Sequence, residues 1–99
     1  MKGATLVRSG DRLILSGAID YGNADALCAE GIALLGQTGP QTVVDLAGLT
    51  SASSLSVAVL LRWARTAAAC GHHLQLTRVP ARCRAIVRIS GLAEALPEV

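Results

Sequence analysis

Residues 42–70 read TVVDLAGLTSASSLSVAVLLRWARTAAAC, and the change of rhythm inside this stretch decides the fold. Thr42 to Leu46 is a short, mainly apolar run with Asp45 near its end, the pattern of a buried strand. A hydroxyl-rich loop follows. From Ser53 or Ser54 to about Cys70 the chain carries Leu, Val and Ala at helical spacing and then meets Gly71, which predicts a helix with a glycine stop.

Working outward, Gly39 and Pro40 break the chain before this strand, and Asn23 to Leu35 precedes the break. That segment spaces Leu27, Ile32, Leu34 and Leu35 as an amphipathic helix does, with Asn23 as the expected cap and Gly36 as the stop. Before it, Thr5–Arg8 and Arg12–Ser16 are strand-forming runs separated by Ser9, Gly10 and Asp11, the residue types of a hairpin turn. On the carboxyl side His73 to Arg78 alternates Leu74 and Leu76 with polar residues as a strand does. Pro80 suits the first turn of a third helix that carries Ile86, Val87 and Ile89 and ends near Gly91. The order is β-β-α-β-α-β-α. Strands alternating with helices after a hairpin predict one α/β domain over residues 1–99, a mixed β-sheet with helices packed against it.

Composition agrees with a folded core and excludes several function classes. Of 99 residues, 52% are hydrophobic and 16% charged, and the net charge of +2 is too balanced to indicate a nucleic-acid binder. Met1 to Arg8 lacks the apolar run of a secretory leader, so a cytoplasmic location is expected. Cys28, Cys70 and Cys83 are an odd, widely spaced set, read as reduced and structural. His72 and His73 are adjacent and would point to opposite faces of a strand, which argues against a shared metal site. No phosphate-binding glycine loop and no spaced carboxylate pair occurs, so neither catalysis nor a cofactor is expected of this chain.

The second helix carries the functional signal. At about 100° per residue, Val57, Leu60, Leu61, Ala64 and Ala68 share one face and are the expected core contacts. Leu55, Val59, Arg62 and Thr66 fall opposite, with Trp63 on the adjoining flank. Either a neighbouring loop covers Trp63, or Leu55, Val59 and Trp63 form a binding surface rimmed by Arg62 and Arg65, since Trp and Arg are favoured interface anchors. Thr50, Ser51, Ser53, Ser54 and Ser56 crowd the helix start, where hydroxyls cap free N–H groups and where an anion or phosphorylated side chain is also favoured. Arg82, Arg84 and Arg88, with Arg78 before them, form a basic face that is either solvated or in contact with an acidic partner or anionic headgroups. Asp20 either caps the approach to the first helix or shapes a partner surface.

Asp45 to Leu61, DLAGLTSASSLSVAVLL, resembles the signature segment of STAS domains, the anti-sigma factor antagonist fold. More narrowly, Leu60 to Leu96, through Trp63, the Gly71 turn, Val79-Pro80 and Ser90-Gly91-Leu92, is similar to the STAS subunits of Mla-type ABC systems, which move phospholipids between membranes and keep lipid asymmetry. The resemblance implies a non-catalytic subunit, peripheral to the inner membrane, that docks on an MlaF-like ABC ATPase subunit. The resemblance implies a partner contact at the helix start, Ser53, Ser54, Leu55 and Ser56, to which the helical-wheel reading above adds Val59, Arg62 and Trp63. Ser54 matches the threonine that the Mla-type pattern places at the ATPase interface. Two departures stand out: Ser53 replaces the loop's acidic residue, and Leu55 occupies the hydroxyl position phosphorylated in anti-sigma antagonists. The alternative the resemblance leaves is an anti-sigma factor antagonist regulated by serine phosphorylation, with Ser54 as the candidate position.

Overall fold

A computed structural model describes residues 3–99; Met1 and Lys2, part of the leader-sequence reading, lie outside them. Strands β1 (Ala4–Ser9) and β2 (Arg12–Gly17) form the expected hairpin, with Ser9 opposite Arg12 across a two-residue loop. Gly10 has φ +61° at the first loop position, a conformation that carries little cost only for glycine. There follow α1 (Ala24–Leu35), β3 (Gln41–Leu49), α2 (Ser54–Ala69), β4 (His73–Thr77) and α3 (Ala81–Ile89). The sheet order is β1-β2-β3-β4, with β1 antiparallel to β2 and the pairs β2–β3 and β3–β4 parallel. A residue chain beyond Pro97 adds a parallel bridge between Leu76 and Glu98 on the outer side of β4.

Strands in sequential order with crossovers of one hand place α1 and α2 on the same face of the sheet, and the two helices pack together there. The alternation of side chains follows. Leu6, Leu13, Leu15, Val44, Leu46, Leu74 and Leu76 are buried beneath the helices, while Thr5, Val7, Ile14, Val43, Gln75 and Thr77 on the other face are exposed or half-buried.

Asn23 does not cap α1 with its side chain. Its Oδ1 accepts from the Asp20 backbone N–H and its Nδ2 donates to the Ala18 carbonyl, so it ties the approach loop together. Asp20 completes that turn, its Oδ1 accepting from the N–H groups of Gly22 and Asn23 at 2.8 and 3.0 Å. The expectation that Asp20 organises the entry to α1 therefore holds.

Of the two readings of the α2 flank, the structure shows the covered one, with α1 rather than a loop over Trp63. Trp63 is fully buried and Val59 is 4% exposed. The buried arc of α2 consists of Ser56, Val57, Val59, Leu60, Trp63, Ala64 and Ala67, rotated by roughly 80° at 100° per residue from the face centred on Val57. Ala68 is exposed and Leu61 half-buried. The physical cause lies in α1. A Cβ built on Gly31 would overlap Cε2, Nε1 and Cζ2 of the Trp63 indole, so the missing side chain opens the notch that the ring fills. The indole N–H donates to the Cys28 carbonyl at 3.1 Å, satisfying the polar edge of a ring otherwise surrounded by hydrocarbon.

Candidate functional site

The start of α2 is built from hydroxyls with different tasks. Ser53, in an extended conformation, is the N-cap, and its Oγ accepts from the Ser56 N–H at 3.3 Å. Ser56 is fully buried, and its hydroxyl donates to the Ser51 carbonyl at 2.5 Å. Ser51 Oγ in turn accepts from the Ile19 N–H at 2.7 Å, linking this loop to the end of β2. Ser53, Ser56 and Ser51 thus hold the loop shape, and Ser56 is inaccessible to a partner or a modifying enzyme. Ser54 alone of the three serines proposed as contacts is exposed.

Beyond Ser54 the outward arc of α2 carries Ala58, Leu61, Arg62 and Arg65, with Leu55 half-buried at its margin. Small residues at positions 58 and 69 leave a shallow groove between the longer side chains of Leu61, Arg62, Arg65 and Thr66. Among the described residues neither Arg62 nor Arg65 forms an ion pair. Of the predicted contacts, the structure brings Ser54, Leu55 and Arg62 to one surface and removes Ser56, Val59 and Trp63 to the interior. Ala58, Leu61 and Arg65 belong to that surface, although Ala58 escaped the sequence reading and Leu61 was placed in the core. Centring the helical wheel between Trp63 and Leu60, the two bulkiest candidates, would have found them.

The basic face of α3 divides in the same way. Arg84 binds Glu98 through two hydrogen bonds of 2.8 and 2.6 Å, fastening the carboxyl-terminal segment along β4, and this pairing holds the Glu98 carboxyl below its usual range. Arg78 is committed to Asp45: its Nε donates to Oδ1 at 3.1 Å and its Nη2 to Oδ2, with Arg12 Nη1 3.4 Å from the same oxygen. Asp45 is 2% exposed, and its hydrogen bonds to Arg78, opposed by burial, pull its pKa below the ordinary carboxylate value. This network sits on the helix-free face of the sheet and joins β2, β3 and the end of β4. Arg78 adopts φ +52°, an unfavourable conformation for a side-chain-bearing residue, and the two-pronged grip on Asp45 holds it there. Arg82 and Arg88 remain exposed without ion pairs among the described residues.

The cysteines are free thiols, with Cys83 buried, Cys28 half-buried and Cys70 exposed. Burial pushes the Cys83 thiol pKa up. His72 is half-buried and His73 opens β4 in an exposed position. No helix of the described residues is long and apolar enough to cross a membrane.

The same architecture occurs in solved structures. An anti-sigma factor antagonist from Mycobacterium paratuberculosis superposes with a TM-score of 0.70 at 20% identity, covering 96% of this chain and 82% of that one. The anti-sigma factor antagonist SpoIIAA in its unphosphorylated form gives a TM-score of 0.73 at 16% identity, over 97% of this chain and 87% of that one. A Thermotoga maritima protein gives 0.75 at 14% identity, over 96% and 84%. At these identities the likeness is one of fold. No curated protein matches the chain by sequence. The family model described as "Mlab, STAS domain" matches residues 4–98, nearly the whole of the β-β-α-β-α-β-α unit, and by that match the chain belongs to the STAS domain family.

Proposed function

We propose that this chain is a non-catalytic, cytoplasmic subunit of an Mla-type ABC phospholipid transporter that maintains outer-membrane lipid asymmetry. In this reading it docks on the MlaF-like ATPase subunit and stabilises or regulates it. The observation that carries the reading is the outward α2 stripe of exposed Ser54, Ala58, Arg62 and Arg65 with half-buried Leu61 between them, in a chain whose family match is of the Mlab type. Small residues let a partner helix or loop approach the α2 backbone closely. The two unpaired guanidinium groups favour a partner with carboxylates at that depth, which would steer encounter and fix register more than add raw affinity. Chemistry then resides in the partner: docking changes ATP turnover only to the extent that this domain binds one state of the ATPase more tightly than another.

An affinity-tagged pull-down from native cells, with wild-type protein beside Ser54→Glu and the double substitution Arg62→Glu/Arg65→Glu, tests this. The expected result is an ABC ATPase recovered with wild type and lost with both variants, while their thermal unfolding stays within about 4 °C of wild type, as surface substitutions do. Recovery of the ATPase by all three proteins would remove α2 from the interface.

A second reading, an anti-sigma factor antagonist, is favoured by the exposure of Ser54 at the first helical position of α2. Phosphate there would meet the open N–H groups and positive end of the helix and would add negative charge to the stripe. Capture of a kinase-type anti-sigma factor, with phosphate on Ser54 in the unbound fraction, is the outcome that selects it.

A further inference from the structure

The outer edge of β1 is open, and its chemistry is complementary to itself. Because Ser9 and Arg12 close a two-residue hairpin loop, Ser9, Val7 and Thr5 direct their backbone groups toward β2. The hydrogen bond from the Ala18 N–H to the Gly3 carbonyl continues the same alternation. Ala4, Leu6 and Arg8 therefore direct their N–H and C=O groups outward, away from the sheet. Native edges are usually blunted by proline, charged side chains, a bulge or a covering segment, and among the described residues Ala4–Ser9 carries a single charge, Arg8 at one end, and neither proline nor bulge. The opposite edge, by contrast, is covered: the Leu76 N–H donates to the Pro97 carbonyl and the Val99 N–H to the Leu76 carbonyl, both at 2.8 Å.

We infer that β1 pairs antiparallel with β1 of a second copy of this chain about a two-fold axis at Leu6. The axis position follows from the outward-facing set, since only a pairing of Leu6 with Leu6 places Ala4 and Arg8 opposite one another twice. Charge then supports the second copy over an unrelated strand. Arg8 is exposed, and the contact recorded for its guanidinium is the Gly10 carbonyl at 3.2 Å, with no carboxylate. At the other end of the same edge stands Asp20, whose Oδ2 lies 3.7 Å from where a Gly3 Cβ would be, while its Oδ1 is occupied by the approach turn. Pairing brings Arg8 of each copy alongside the Gly3–Ala4 end of its mate, within reach of that Asp20. Two such ion pairs flank the axis by symmetry. A groove walled by Leu6, Ala26 and Leu27 lies beneath the edge, and the mate's Leu6 closes it. Glu30, on the groove rim, is brought toward its own symmetry mate and limits the affinity.

Sedimentation velocity over a concentration series, run on wild type, Arg8→Glu, Asp20→Asn and Glu30→Gln, tests the inference. Asp20→Asn keeps the Oδ1 acceptor that the turn needs. The expected result is a reversible dimer of wild type, weakened about tenfold by Arg8→Glu and less by Asp20→Asn, and tightened by Glu30→Gln; tenfold corresponds to about 1.4 kcal/mol. Amide exchange supplies a second measurement: protection of Ala4, Leu6 and Arg8 should rise with protein concentration while Thr5 and Val7 stay constant. A wild-type protein that remains monomeric at millimolar concentration, or a dimer indifferent to Arg8→Glu with no change at those three amides, overturns the pairing.

Discussion

Replacing Gly31 by alanine pits two calculable effects against each other. Alanine in place of glycine in a helix interior ordinarily stabilises by about 0.8–1.0 kcal/mol, because the unfolded chain has less freedom to lose. Here the added methyl falls inside the Trp63 ring. The indole is fully buried between α1 and α2 and its N–H is bonded to the Cys28 carbonyl, so it cannot swing aside without losing that bond. Overpacking of this kind costs about 1–3 kcal/mol and occasionally more, and the displaced hydrogen bond adds about 1 kcal/mol. The clash wins, and a net loss of about 1–3 kcal/mol is expected. For a small domain with a urea slope of about 1–3 kcal/mol per molar, the unfolding midpoint should fall by about 1–2 M. Gly36→Ala is the internal control: it sits at the end of α1 with φ −68° and only the Ala33 carbonyl within van der Waals range, at 3.4 Å. That variant should match wild type within about 0.5 kcal/mol. Trp63→Leu alone should destabilise, yet Gly31→Ala/Trp63→Leu should lose at least about 1 kcal/mol less than the sum of the two singles, since the smaller side chain accommodates the methyl. Refutation would come from Gly31→Ala at or above wild-type stability, or from strict additivity in the cycle.

Two further outcomes follow from the site. Asp45 has a folded-state pKa lowered chiefly by its hydrogen bonds to Arg78, so it contributes stability above the unfolded value of 3.8 and loses it as pH falls through the depressed folded value. The stability gap between wild type and Asp45→Asn should be open at pH 7 and should close only below about pH 4, as the Asp45 carboxylate is protonated; a gap unchanged down to pH 2 would dismiss the ion pair as its source. At the start of α2, thermal melts should separate neighbouring serines: Ser53→Ala loses the cap and about 1 kcal/mol, whereas Ser54→Ala, exposed and without a structural partner, changes stability by less than about 0.5 kcal/mol. Equal effects would contradict the division of labour assigned to the two hydroxyls.

Element order was legible in the sequence because its signals are local. The glycine loop after Ser9, the Gly39-Pro40 break, the serine cap and the Gly71 stop each act within a few residues, and the helix and strand boundaries fall within about three residues of them. Which side of α2 faces inward was not legible by the same means. A helix laid on a sheet and flanked by α1 and α3 buries a broad arc, and apolar residues around most of its circumference leave the wheel undecided. The deciding fact lay in another element, in the absent side chain of Gly31. The Asp45 network was hidden for the same reason: its partners Arg12 and Arg78 are 33 residues away in either direction, and only the parallel register β2–β3–β4 brings them together.

The placement of Trp63 also determines what kind of surface this domain can offer. An exposed indole would have made α2 a hydrophobic hot spot, the sort of anchor that binds tightly with little help from charge. With the ring turned inward, α2 presents a serine, small residues, two half-buried leucines and two arginines. A partner docked there as proposed would have to supply the bulk and the negative charge, and the contact would be sensitive to salt and to any phosphate added at Ser54. The open β1 edge lies on the far side of α1 from that stripe, because α1 packs against both α2 and β1. Self-pairing through β1 would therefore leave α2 free, and a dimer would present two docking stripes related by the two-fold axis. Such an arrangement suits a partner that is itself a symmetric pair.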